Sequence, residues 1–136
     1  MSKKTVHSTL TQLTSAYKAH YKLYKTASPP EPSHLLLLFY AVECGLKAYY
    51  LQENRLLSTE DFESPTMNKY GYGHKLAEWV QEVRMPASAI SFVDDPNDPI
   101  ENMHEKLRYG VSLSHLTQKK QVDFLQQVIN QLKGKL

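Results

Sequence analysis

With a single cysteine, Cys44, in 136 residues, the chain forms no intramolecular disulfide and builds no multi-cysteine zinc site. Cys44 reads instead as a small buried hydrophobe, and its isolation points to a reducing, cytoplasmic setting. Long apolar runs are scarce too. The one strong run, LLLLFYAVECGLKAYYL from Leu35 to Leu51, stops short of the roughly 20 residues needed to cross a bilayer. The N-terminal MSKKTVHSTLTQ has lysines with no apolar stretch behind them, so neither export nor membrane insertion is expected. Charge of one sign is also lacking: 16 Lys and Arg face 14 Asp and Glu, and the net +2 makes no case for nucleic acid on composition alone. There is no internal repeat, no low-complexity tract and no convincing strand pattern. A phosphate-binding glycine loop, a paired-histidine metal helix and a nucleophile elbow are all missing, and no cofactor or metal is expected.

What the chain does have is helical periodicity around one central segment. In the Leu35–Leu51 run, Leu35, Leu38, Val42, Leu46 and Tyr49 follow the three-and-four spacing of a helix. Leu36, Leu37, Phe39 and Tyr40 extend the apolar surface around the first turns, the pattern of a helix packed on several sides. Glu43 stands out among them. A carboxylate in such company needs a partner, and Lys47 one turn on is the nearest candidate.

Taken in order, residues from about Lys4 to Thr26 form an amphipathic helix, with Leu10, Leu13, Tyr17, Tyr21 and Tyr24 on one stripe and Lys18, Lys22 and Lys25 on a neighbouring one. That lysine row is either a solvated face or, with the tyrosines, a stacking and phosphate-binding surface for single-stranded nucleic acid. Ser28-Pro29-Pro30-Glu31-Pro32-Ser33 stops the helix, and the central helix opens near Pro32 or Ser33 and runs to about Gln52 or Asn54, making a hairpin with the first. A polar segment to Gly73, with at most one helical turn near Ser58 to Phe62, leads to a third helix from His74 that ends before Pro86. His74, in its first turn, is a candidate contact to a neighbouring loop or ligand. Asp94, Asp95, Asn97 and Asp98 in DDPNDP offer oxygen ligands, but the glycine and distal glutamate of a calcium loop are absent, so they read as turn acids. A fourth helix from Ile100 to Arg108 or Tyr109 ends at Gly110, and a last one from about Thr117, as its cap, to Lys133 buries Val122, Leu125, Val128, Ile129 and Leu132. The expected fold is all-α: residues 1–136 as one domain, an up-and-down bundle of four to five helices.

Three pieces in this order, AVECGLKAYYL, YGHKLAEWV and LRYGVSLSH, resemble the HEPN superfamily of small helical proteins of prokaryotic toxin, defence and nucleotidyltransferase-associated systems. The resemblance implies an HEPN-like bundle; in its nuclease members an arginine followed after four to six residues by a histidine forms the catalytic motif, and two protomers bring their motifs together across a dimer cleft. Here Arg108 and His115 are separated by six residues. In that likeness the chain is a homodimeric, metal-independent endoribonuclease: His115 moves the proton at the 2′-hydroxyl or leaving oxygen, Arg108 stabilises charge on the phosphate, and Glu43 orients one of them. Tyr109, Lys18, Lys22, Lys25 and His74 would then contact the RNA. An arginine-tyrosine pair followed by glycine looks more like the non-nuclease branch, whose members bind a partner enzyme such as a nucleotidyltransferase, a nucleotide or another small ligand; an antitoxin is the partner that the toxin systems of the superfamily imply. In that case Arg108 anchors the bundle by pairing with Glu43.

Overall fold

The computed structural model describes residues 7–60, 76–86, 90, 92–111 and 114–136. Among these there are five α-helices and no strand: α1 (Leu10–Lys25), α2 (Pro32–Glu53), α3 (Leu76–Glu82), α4 (Met103–Arg108) and α5 (His115–Leu132), with a 3-10 turn at Ile100–Asn102 leading into α4. The chain is all-α, a helical bundle, and no described helix is long and apolar enough to cross a membrane.

Helix starts follow from hydrogen-bonding side chains. Thr9 caps α1 reciprocally: its hydroxyl accepts the Gln12 amide (3.1 Å), and the Gln12 side chain accepts the Thr9 amide (2.9 Å). The start expected near Lys4 is therefore corrected. Residues 7–9 precede the helix, and Ser8 and Leu10 bond instead to the Leu57–Thr59 segment. Pro32 occupies the first position of α2, where its missing N–H costs nothing, and the cap is Glu31, whose amide donates to His34 Nδ1 (3.0 Å). The last helix opens earlier than expected. Ser114 is its cap, accepting the Thr117 amide (3.1 Å), so Thr117 lies inside the first turn and His115 becomes the first helical residue.

Three helix ends share one geometry. The amides of Leu56, Met85 and Val111 reach back to the carbonyls of Leu51 (2.8 Å), Val80 (3.3 Å) and Lys106 (2.8 Å). Each closure passes through a residue at positive φ: Arg55 (55°), Arg84 (57°) and Gly110 (71°). Glycine suits that conformation and arginine does not, so two of the three ends carry backbone strain of about 1–2 kcal/mol each, partly offset by a cation near the negative end of the helix.

The central run behaves as its apolarity demands. Helix α2 packs against α1, α3, α4 and α5, and Leu38, Phe39, Val42, Leu46 and Leu51 are fully buried. Leu13, Tyr17 and Tyr21 of α1, Trp79 of α3, Met103 of α4 and Phe124, Leu125, Val128, Ile129 and Leu132 of α5 complete one core. Its tightest point is Gly45. A methyl there would stand 2.6 Å from Leu132 Cδ1 and 2.8 Å from Tyr17 Cδ1, closer than carbon atoms approach. The glycine thus sets how near α1 and α5 come to α2.

Helix propensity favours Gly45→Ala by about 1 kcal/mol, but overpacking two buried side chains costs about 1–3 kcal/mol. The substitution should destabilise the fold in chemical denaturation; equal or higher stability would show that Tyr17 and Leu132 have room to move. Arg55→Gly should act the other way, raising stability by about 0.5–1 kcal/mol as the strain at the end of α2 is relieved.

Candidate functional site

Arg108 closes α4, and its side chain reaches across to α2. One of its terminal nitrogens donates to the Tyr40 hydroxyl at 2.6 Å, and its guanidinium carbon stands 5.9 Å from the centre of the Tyr109 ring. The Tyr40 hydroxyl, followed by Tyr109, holds the guanidinium pKa above its ordinary value. The group is exposed, and among the described residues no carboxylate pairs with it. A guanidinium has five N–H donors in a planar fork, and one phenol leaves most of that fork available to an anion.

Tyr40 in turn faces α1. Its ring lies 6.2 Å from the His20 imidazole, tilted 49° to it, and against Phe39 edge-on. An imidazole, a phenol and a guanidinium from three helices thus form one half-open surface. Neither His20 nor Tyr40 was prominent in the sequence. Tyr40 reads there as part of an apolar helix, and only its place one turn before Glu43 and at the rim of the buried face hints at a polar role. His20 gives the weaker signal of one polar ring beside the apolar stripe of α1.

The expected site residues fall in several places. Glu43 is buried on α2 and pairs with Lys47 at 3.9 Å, the internal pair expected from their spacing. Arg108 turns outward to Tyr40 rather than inward to Glu43. His115 is exposed at the first position of α5, and among the described residues no hydrogen bond or ion pair joins it to Arg108. Tyr109 is 72% exposed beside Arg108. Lys18, Lys22 and Lys25 are exposed on α1, but at about 100° per residue they sit roughly 140–160° round the helix from His20, on the other flank from Arg108. His74 lies outside the described residues.

Other polar groups have structural duties. His104 is buried, stacked on Phe39 at 5.2 Å with Nε2 3.9 Å from Glu105. Among the turn acids, Asp94 accepts the Ile100 amide (2.9 Å), Asp95 accepts the Asn97 amide (2.9 Å), and Asp98 pairs with Lys106. Burial is the main cause of the raised Asp94 pKa. No cluster of three or more potential metal ligands occurs among the described residues. Cys44 is no nucleophile: burial, then the neighbouring Glu43 carboxylate, push its thiol up to about 11.

No family model, curated protein or solved structure matches this chain.

The Cys44 shift gives a direct check on the packing of α2. At pH 8 the folded protein should hold about a hundredfold less thiolate than an ordinary cysteine, so alkylation should be at least that much slower than in denaturant. The sign for stability follows from the raised value. Folded and unfolded thiols are both protonated below about pH 9, and stability falls as pH rises from there through about 11, because the unfolded chain ionises first. Equal alkylation rates in folded and denatured protein would contradict the burial of Cys44.

Proposed function

We propose that this chain is an HEPN-like protein that acts on RNA, with Arg108 as the group that takes the phosphate. The observation that carries the reading is the state of that guanidinium. It is exposed, unpaired with any described carboxylate, oriented by the Tyr40 hydroxyl and flanked by an exposed tyrosine ring. A phosphodiester offers two oxygens to the fork, and a base can stack on Tyr109. A cytoplasmic homodimer fits this reading. In that homodimer the two protomers would bring their Arg108 and His115 sets together at one cleft, and cleavage would be metal-independent with His115 handling the proton.

A second reading has its own observation. Tyr109, Val111 and Leu116 are large apolar side chains exposed around the end of α4 and the start of α5, a surface suited to a protein partner such as an antitoxin or nucleotidyltransferase. In that case the chain binds without cutting, and Arg108 serves recognition alone.

The test is incubation of the purified protein with single-stranded RNA in the presence of a chelator, alongside sedimentation to establish the oligomeric state. Cleavage lost in both Arg108→Ala and His115→Ala supports the nuclease. RNA binding by the wild type without cleavage, lost in Arg108→Ala, keeps the phosphate contact of Arg108 and removes the nuclease. RNA affinity unchanged by Arg108→Ala overturns the role assigned to Arg108.

A further inference from the structure

The charges of this chain are nearly balanced in number and uneven in place. All 14 carboxylate side chains lie between Glu31 and Asp123. The segments outside those limits carry seven lysines and no acid. Five of the seven, Lys18, Lys22, Lys25, Lys133 and Lys135, fall on described residues, and the fold brings the two segments together.

They meet at Tyr21. Its ring is buried in the groove between α1 and α5, with its hydroxyl accepting from Gln126 Nε2 at 3.1 Å. Lys25 Nζ approaches the ring centre to 4.8 Å and Lys133 Nζ to 5.5 Å, so two ammonium groups from opposite ends of the sequence stand at one aromatic ring. Next to them the Lys135 carbonyl accepts from Gln52 Nε2 at 2.8 Å, and Lys135 Nζ stands 5.2 Å from the Tyr49 ring. None of these three ammonium groups makes an ion pair among the described residues. Ammonium groups gathered beside ring faces can exchange their counterions for the phosphates of a polyanion lying along them.

We infer that the lysine ridge of α1 and the C-terminal end of α5, centred on Lys25, Lys133 and Tyr21, is a second RNA-backbone contact, separate from Arg108. The inference takes its partner from the proposed function and adds the surface. Lys18 and Lys22 continue the ridge along α1. The outer face of α1, which separates the ridge from His20 and Arg108, has no carboxylate to repel a strand passing over it. A phosphodiester strand suits the ridge better than a lipid surface. Leu23, the strongly exposed large apolar side chain of α1, sits roughly 100° round the helix from Lys22 and roughly 140–160° from Lys18 and Lys25, away from the centre of the ridge, where membrane binding would place an apolar anchor.

The experiment is fluorescence anisotropy of the full chain with a labelled oligouridylate over a series of salt concentrations. Wild type is compared with Lys25→Gln/Lys133→Gln, with Arg108→Ala, and with Arg55→Gln/Lys120→Gln as a control of equal charge loss elsewhere. The ridge variant should weaken binding and lower the magnitude of the salt slope by about 1.4, roughly 0.7 for each phosphate contact given up, while the control holds the wild-type slope. A ridge variant indistinguishable from the control overturns the inference, even if Arg108→Ala abolishes binding and the proposed function stands. Loss of slope in the ridge variant with no effect of Arg108→Ala leaves the ridge and removes the Arg108 reading. Wild-type protein that ignores the oligonucleotide but binds anionic vesicles through the ridge lysines overturns RNA as the partner.

Discussion

The close approach of α1 and α5 to α2 at Gly45 is the constraint on which the molecule depends. With Tyr17 and Leu132 both pressed to where a Cβ would be, α2 becomes the core element, packed by α1, α3, α4 and α5. That arrangement explains why a 22-residue helix is so uniformly apolar, why its one acid in the central run is buried beside Lys47, and why Cys44 has a raised pKa. It also fixes the rims. Tyr40 lies where the buried face of α2 meets the surface, between His20 of α1 and Arg108 of α4, and Tyr21 lies in the groove that α1 makes with α5.

Two cationic surfaces follow from that frame, and they differ in chemistry. Around Arg108 the donor is a planar fork with a phenol holding one nitrogen, which favours bidentate recognition of a single phosphate. Along α1 and the end of α5 the donors are ammonium groups on long stems set against tyrosine rings, which favours a delocalised backbone contact. A protein with both would hold a strand by the ridge and address one phosphate at Arg108.

The helices were largely legible because hydrophobic spacing, prolines and caps are local signals. Pro32 marked the start of α2, and Gly110 the end of α4, for reasons contained in a few residues. The misplaced boundaries were local competitions: Thr9 and Ser114 outrank the residues expected to open their helices because their hydroxyls meet free amides. Arg55 and Arg84 were illegible as helix ends, since arginine gives no hint of a left-handed backbone. The site was legible only in part. The pairing of Glu43 with Lys47 depends on spacing that the sequence displays, whereas the outward turn of Arg108 to Tyr40 does not. The convergence of His20, Tyr40 and Arg108, and of Lys25 with Lys133, depends on tertiary packing between residues 68 and more than 100 positions apart.

The central claim is that the Arg108 guanidinium is open to a phosphate in the folded protein. It is tested most directly by following the arginine side-chain N–H resonances by NMR while a short single-stranded RNA is added. The Arg108 signals should shift progressively and saturate, and they should do so alongside the Tyr40 and Tyr109 rings. Arg108 signals that stay fixed while the RNA is bound elsewhere would contradict the account.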